Sequence, residues 1–216
     1  ADTVEATPLG ATTNLDRHKR NMAAFGVPVV VSINRFASDT DAELAAIAQA
    51  ARDSGASSVC ITEVHAKGGE GGKDLAEAVV KAVQNHVAAG RPFVPMFTPE
   101  TDVLDKATAI AQRMYKADDL DITPQALRDL DRIRSWGYGH LPVCMAKTQY
   151  SFSHDASLLG APTGFTIPVR EFRLNAGAGF IVAVLGNMMT MPGLPKRPAA
   201  LDMDMDEDGN LLGVFG

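Results

Sequence analysis

The stretch that most constrains the fold is Val27–Glu43, with the sequence VPVVVSINRFASDTDAE. It begins as a nearly continuous run of β-branched apolar residues, Val27–Ile33, and stops abruptly at Asn34-Arg35-Phe36. A continuous apolar run is typical of a strand covered on both faces, as in a parallel sheet with helices on each side. The polar end of this strand is therefore predicted to lie at a rim of the sheet.

The segments around this strand repeat a helix–strand order. They comprise a helix over Asn14–Phe25, a helix capped within Ser38–Asp41 and ending near Asp53, a strand over Ser58–Val64 and a helix over Asp74–Val87. Repeated αβ units predict a parallel, doubly wound sheet, and such sheets bind ligands at the carboxyl ends of their strands. Asn34–Phe36 and His65–Lys73 are thus expected on the same rim.

The second half of the chain has a different pattern. Arg91–Thr98 contains two prolines and is predicted to connect an α/β subdomain, residues 1–95, to a mixed α/β subdomain, residues 96–216. The second subdomain is predicted to contain helices over Thr101–Lys116 and Thr123–Trp136 and strands over Leu141–Met145, Phe165–Phe172 and Gly179–Leu185. The predicted class is α/β, with a doubly wound N-terminal half and a smaller mixed C-terminal part.

Composition excludes some functions. The 216 residues carry a net charge of -6 and no long Lys/Arg cluster, which argues against a nucleic-acid partner. No apolar run has the length of a membrane span and no signal segment is visible, so a cytoplasmic protein is expected. Cys60 and Cys144 each lie in an apolar run and are predicted to be buried free thiols.

A glycine loop, Gly68-Gly69-Glu70-Gly71-Gly72-Lys73, lies between a predicted strand and a predicted helix, which is the context of a phosphate cradle. The Walker A spacing fails, because Lys67 occupies the first glycine position and Asp74 stands where Ser or Thr would hold magnesium. A ligand-contacting loop and a plain tight turn both remain open. If the loop binds anything, an anion is expected.

Aromatic residues at the rim suggest a flat ligand. Phe36 lies in a polar loop after a strand, where it either offers a stacking face or folds back into the core. His65 is either a ligand contact or a solvated histidine. Asn34 and Asp39 stand two residues too far apart for a base-reading motif. The residues alone therefore predict a rim pocket for a flat or anionic ligand, and no reaction.

No spacing of Cys, His and Asp predicts a metal site. Asp204–Gly209 matches the first positions of an EF-hand loop, but Phe215 stands where the bidentate Glu belongs. An acidic hairpin with an Asp-Gly turn is predicted instead.

Several longer segments together resemble the formate–tetrahydrofolate ligase family, also called formyltetrahydrofolate synthetases. They occur in the family order from about residue 14 to near the C-terminus, and are FGVPVVVSINRFASDTDAEL, HAKGGEGGKDLAEAV, KATAIAQRMYKADD, GYGHLPVCMAKTQYSFSHD, PTGFTIPVRE, NAGAGFIV and MTMPGLPKRPAALDMD.

The resemblance implies a role in making 10-formyltetrahydrofolate from formate, tetrahydrofolate and ATP through formyl phosphate. It also implies magnesium, a monovalent cation and a cytosolic homotetramer for the parent enzyme. The family's N-terminal P-loop domain has no counterpart in these residues, so the chain alone is expected to bind no cofactor and to form no formyl phosphate. The alternatives are a non-catalytic folate-binding or assembly module and, more remotely, an unrelated nucleotide-binding domain.

The resemblance also implies a folate slot. In the family, the pteridine ring lies between an aromatic residue after the NRF-type strand and a Trp before the AKGGEGG loop. These positions fall on Phe36 and on His65, which replaces the Trp, while Ala37 replaces a common Pro. Ile61 is expected to share a strand face with His65. The expected substrate-binding residues are Asn34, Phe36, Ala37, Ile61, His65 and Lys67, with weaker folate binding than in relatives that carry the Trp.

Overall fold

Strands and helices are mixed along residues 11–186, 197–209 and 211–213, which are the residues that this computed structural model describes. Their contacts divide the chain into two units, residues 1–186 and residues 187–216. The helices are α1 (Asp16–Ala23), α2 (Asp41–Asp53), α3 (Val64–Lys67), α4 (Lys73–Ala88), α5 (Val103–Ile110) and α6 (Pro124–Ser135). The strands are β1 (Val30–Asn34), β2 (Ser58–Thr62), β3 (Asp119–Ile122), β4 (Val143–Ala146), β5 (Thr166–Asn175), β6 (Phe180–Leu185), β7 (Asp204–Met205) and β8 (Leu211–Leu212).

Short turns of other helical types join these elements. Ala11–Leu15 and Ala111–Tyr115 are single π turns that lead into α1 and continue α5, whereas Gly68–Gly72, Ala176–Ala178 and Ala199–Leu201 are 3₁₀ turns.

The first sheet pairs β1 with β2 in parallel. The register runs from Val30 opposite Ser58 to Asn34 opposite Thr62, so both strands end at the same edge. Buried Thr62 supports this register, because its hydroxyl lies 3.1 Å from the Ser32 hydroxyl of the other strand. The predicted parallel α/β arrangement and the shared rim are confirmed.

Only one face of β1 is buried. Val31 and Ile33 pack against Leu44, Ala48 and Ala51 of α2, whereas Ser32 and Asn34 are exposed. The prediction of burial on both faces is therefore wrong for β1. The strand begins only at Val30, and within it the sequence VVSIN alternates between apolar and polar residues.

The second sheet contains strands in the order β3-β5-β6-β4. β3 is parallel to β5 and β4 is parallel to β6, while β5 and β6 are antiparallel, so the predicted mixed part is confirmed. The main core lies between this sheet and helices α5 and α6, and its larger members are Val103, Leu130, Ile133, Ile167, Val169, Phe172, Ile181 and Leu185.

The two cysteines differ in burial. Both are free thiols; Cys60 is buried, whereas Cys144 is exposed. The predicted burial of Cys144 is wrong, because β4 is an edge strand and its alternation turns this side chain to the open face.

The second unit contains an antiparallel hairpin of β7 and β8, with Asp204 opposite Leu212. Gly209 adopts a positive φ of 83° in its turn, so the predicted acidic hairpin is confirmed. Phe215 and residues 189–196 of the MTMPGLPKRPAALDMD segment lie outside the described residues. The predicted division between residues 95 and 96 stays a prediction. None of the helices in the described part of the chain is long and apolar enough to span a membrane.

Candidate functional site

The loop after β1 presents the Phe36 ring to solvent. The Arg35 N–H donates to the Thr62 carbonyl at 2.9 Å and extends the ladder by one residue. The Phe36 N–H then donates to Asp39 Oδ2 at 2.8 Å, and the Asp39 N–H donates to the Phe36 carbonyl at 3.1 Å. The Phe36 side chain is 64% exposed. Of the two possibilities left open by the sequence, the structure therefore shows the exposed ring.

The same loop is anchored at its other end by α2. Thr40 caps this helix in a capping box, in which Glu43 N–H donates to Thr40 Oγ1 at 3.3 Å and Thr40 N–H donates to Glu43 Oε2 at 3.0 Å. Arg35 and Asp41 form an ion pair at 2.9 Å across the loop. The Phe36 backbone is thus held between a strand end and a capped helix.

The chain after β2 turns sharply. The strand ends at Thr62, and the Glu63 N–H donates to the Gly71 carbonyl at 3.0 Å. His65 follows in the one-turn helix α3, where its side chain is exposed. The prediction that Ile61 and His65 share a strand face is wrong, because His65 lies in a helical turn and strand alternation no longer applies.

The glycine loop packs as a 3₁₀ turn against the end of β2. A Cβ atom built on Gly71 would lie 2.5 Å from the carbonyl carbon and oxygen of Glu63, so only glycine fits here without displacement. A Cβ atom built on Gly69 would meet nothing within 4 Å. The close approach at Gly71 therefore fixes the loop to Glu63, which lies between the end of β2 and α3.

Both lysines of this loop are ion-paired. Lys67 Nζ lies 2.5 Å from Glu63 Oε2, and Lys73 Nζ lies 3.0 Å from Glu70 Oε2. The hydrogen bond from Lys67 lowers the pKa of the Glu63 carboxyl below its ordinary value. Both pairs are largely exposed, so they hold the lysines only weakly.

The rim brings all six predicted residues to one edge of the sheet. Asn34, Phe36 and Ala37 come from the end of β1, and Ile61, His65 and Lys67 come from the end of β2. Within the described residues, neither the Phe36 ring nor the His65 ring stacks on another aromatic ring. Ile61 is 43% exposed and Val64 is 49% exposed, and both are near His65 in the chain. The exposed faces of the two rings can receive a flat ligand.

Two of these features were not predicted. Asp39 holds the Phe36 backbone, and Val64 adds an exposed apolar side chain beside His65 in the sequence. An Asp three residues after the start of a polar loop is a known turn-forming signal, so the role of Asp39 could have been inferred.

The rim contains no candidate metal site among the described residues. No group of three or more His, Cys, Asp or Glu side chains there could hold a metal ion. A large cavity and a smaller one lie along α1 and the amino-terminal part of the first sheet. The rim is an exposed surface.

Comparison with known proteins decides the family. The family model for formate–tetrahydrofolate ligase matches residues 2–215. The chain belongs to the formate–tetrahydrofolate ligase family. It is 47% identical over 215 residues to the formate–tetrahydrofolate ligases of Paracoccus denitrificans (strain Pd 1222) and Maricaulis maris (strain MCS10), covering 100% of this chain and 38% of each relative. It is also 47% identical over 202 residues to the ligase of Acidiphilium cryptum (strain JF-5), covering 94% of this chain and 36% of that relative.

Membership in the formate–tetrahydrofolate ligase family excludes an unrelated nucleotide-binding domain. The chain spans about 38% of the length of the ligases it matches. The family is one of enzymes, and this chain corresponds to a part of such a ligase.

Proposed function

We propose that this chain carries the tetrahydrofolate-binding part of a formate–tetrahydrofolate ligase, with the pteridine ring between Phe36 and His65. The observation that carries the proposal is the Phe36 ring, 64% exposed yet fixed by the bond from its N–H to Asp39. A solvent-exposed ring on a rigid backbone is suited to stacking, because little conformational entropy is lost when a ligand binds.

The residues around Phe36 support a flat, largely apolar ligand. Ile61 and Val64 offer exposed apolar side chains beside the more polar groups of Asn34 and Lys67. The imidazole of His65 has less stacking area than an indole, and aromatic pairs contribute about 1 kcal/mol beyond area burial. Folate therefore binds more weakly here than in relatives that carry a Trp at this position.

The proposal also covers the ATP-dependent steps of the parent ligase. ATP, magnesium and a monovalent cation serve the whole enzyme, which works as a cytoplasmic homotetramer. The loop lysines are engaged with Glu63 and Glu70, and the described residues contain no cluster suited to a metal. The chain by itself is expected to make no formyl phosphate and to bind no ATP at the rim, because the Walker A spacing fails at the glycine loop.

A titration tests the binding proposal. Isothermal calorimetry of the chain with tetrahydrofolate is expected to give saturable binding that Phe36→Ala weakens at least fivefold. Trp136→Ala is the matched control, because Trp136 is also a largely exposed ring, 60% exposed, at the end of α6. Equal weakening by both variants, or no binding at all, would contradict the proposal.

A separate assay tests the proposal that the chain alone does not turn over ATP. Phosphate release from ATP, with and without formate, is expected to be the same in the presence of the chain as in buffer. Formate-dependent turnover by the chain alone would show that the reaction needs nothing beyond these residues.

The second candidate function is a non-catalytic folate-binding or assembly module, and α4 favours it. None of the side chains of this helix is buried, and Val79, Val80, Val83 and Val87 are between 44% and 71% exposed. An apolar helix stripe of this kind is typical of an interface. Val83→Asp is expected to abolish any self-association seen by light scattering, whereas Asn85→Asp, on the opposite side of the same helix, leaves it unchanged.

A further inference from the structure

A cavity of about 840 Å³ lies at the amino ends of β1 and β2, opposite to the rim. Its walls come from five separate segments: α1, the chain just before β1, the loop between α2 and β2, α4 and the chain just after α4. Nothing in the proposed folate chemistry uses it. A volume of this size is typical of a small-molecule site rather than of a packing defect.

The side chains that line this cavity are strongly cationic. Lys19, Arg20, Lys81 and Arg91 each contribute a positive charge, and His86 adds an imidazole. No Asp or Glu is among the lining residues, although the whole chain carries a net charge of -6. A concave surface of one charge sign raises the local concentration of oppositely charged ligands.

Part of this charge is available to a ligand. In the described part of the chain, Lys81 and Arg91 form no ion pair and no side-chain hydrogen bond, whereas Arg20 pairs with Asp16 at 2.6 Å. Lys19 is 5% exposed and its ammonium has no hydrogen-bond partner among these residues. Its nearest carboxylate oxygen, on Asp16, is 3.7 Å away. A buried ammonium without hydrogen bonds is costly, and an anion would satisfy it.

The ends of α2 and α4 border the cavity, and helix carboxyl ends attract cations. Carbonyl groups in these last turns already accept backbone hydrogen bonds, from Ser54 N–H to Ala50 at 3.1 Å and from Ala89 N–H to Asn85 at 3.0 Å. Lys81 also stands near the middle of α4 rather than in its last turn. The helix ends therefore do not account for the whole set of cations.

We infer that this cavity binds a small organic polyanion, with at least two phosphate or carboxylate groups on a compact apolar body. The charged groups match Lys19, Lys81 and Arg91, and one phosphate would fill only a small part of the volume. The apolar body matches the remaining walls, which include Ala23, Val27, Pro92 and Val94. The site lies on the edge of the sheet opposite to the folate rim, so it is independent of the proposed folate slot.

Calorimetric titration of the 216-residue chain with tripolyphosphate and, separately, with citrate tests this inference. Lys81→Gln/Arg91→Gln is expected to weaken binding at least tenfold. The matched control is Lys67→Gln/Lys73→Gln, which removes the same charge at the rim. Unfolding temperatures verify that the variants fold, and the single Lys81→Gln variant, with an exposed side chain, replaces the double variant if that one does not.

Each result decides the question. Selective loss in the cavity variant supports the site, and the stronger of the two anions identifies phosphate or carboxylate as its chemistry. An equal loss of anion affinity in both double variants would show general charge attraction instead of a specific site. If neither anion binds, the inference is wrong. Phe36→Ala is expected to leave tripolyphosphate binding unchanged, which separates this outcome from that of the folate proposal.

Discussion

The carboxylate of Asp39 accepts a hydrogen bond of 2.8 Å from the backbone N–H of Phe36. This contact closes a turn in which Asp39 N–H also donates to the Phe36 carbonyl at 3.1 Å. A negatively charged side chain thereby fixes the position of an exposed aromatic ring without touching the face on which a ligand would stack.

Asp39→Ala is expected to weaken tetrahydrofolate binding about fivefold, because loss of a hydrogen bond of this kind costs roughly 1 kcal/mol. Asp39→Asn keeps an acceptor and should retain most of the affinity. Asp41→Ala is the control, since this carboxylate pairs with Arg35 and not with Phe36. Calorimetry on all three variants measures the effect, and equal affinities for Asp39→Ala and wild type would show that Phe36 needs no such support.

Gly71→Ala is expected to lower the free energy of unfolding by roughly 1–3 kcal/mol, because the added methyl group forces the loop away from Glu63. Gly69→Ala lies in the same loop, has open space at its Cβ position and should change stability by no more than about 0.5 kcal/mol. Urea denaturation of the two variants makes the comparison. Similar losses of stability in the two variants would mean that a side chain anywhere in the loop is destabilising, and that the contact with Glu63 is not the cause.

His65→Trp is expected to strengthen tetrahydrofolate binding about fivefold, in line with roughly 1 kcal/mol for a larger stacking surface. The measurement is calorimetry on the chain, repeated with the complete ligase. His65→Ala should bind more weakly than wild type. An unchanged affinity in His65→Trp would place the pteridine ring away from this side chain.

Asp102 is expected to contribute to the stability of the fold in a pH-dependent way. Its Oδ1 caps α5 by accepting from Leu104 N–H at 3.0 Å, and Arg134 donates to both carboxylate oxygens at 2.6 and 3.0 Å. The bond from Arg134 holds the pKa of Asp102 below its ordinary value. The contribution is therefore complete above the unfolded-state pKa, about 3.9, and is lost as pH falls through the folded-state pKa.

Asp102→Asn retains a capping oxygen but loses the charge. Because the pair is 35–40% exposed, the expected loss is only about 0.5–1 kcal/mol near neutral pH, and it should vanish toward about pH 2. Asp131→Asn is the control, since Asp131 lies 3.7 Å from Arg134 and is 80% exposed. A difference between wild type and Asp102→Asn that stays constant with pH would contradict this account.

Much of the fold could be predicted from apolar patterns and caps. The five longer helices were expected within a few residues of their observed positions, because each has an apolar stripe and a cap or glycine stop. β3 was missed, since its sequence DLDI contains no apolar run and pairing with β5 determines its conformation. Tertiary contact overrides local propensity at such positions.

The site was predictable only in part. The rim followed from strand order, but the turn of α3 depends on the hydrogen bond between Glu63 and Gly71, which no local pattern reveals. The cationic cavity could not be predicted either, because Lys19, Lys81 and Arg91 are distant in sequence and come together only through packing.

The parallel register of β1 and β2 has a consequence for folding. Val30 pairs with Ser58 across an intervening helix, so closing the sheet brings together residues that are far apart in the sequence. Non-local pairing of this kind is slow and loses much chain entropy. A ligand that contacts both strand ends would bind only the closed sheet, so under the proposed function tetrahydrofolate is expected to stabilise the native chain by mass action.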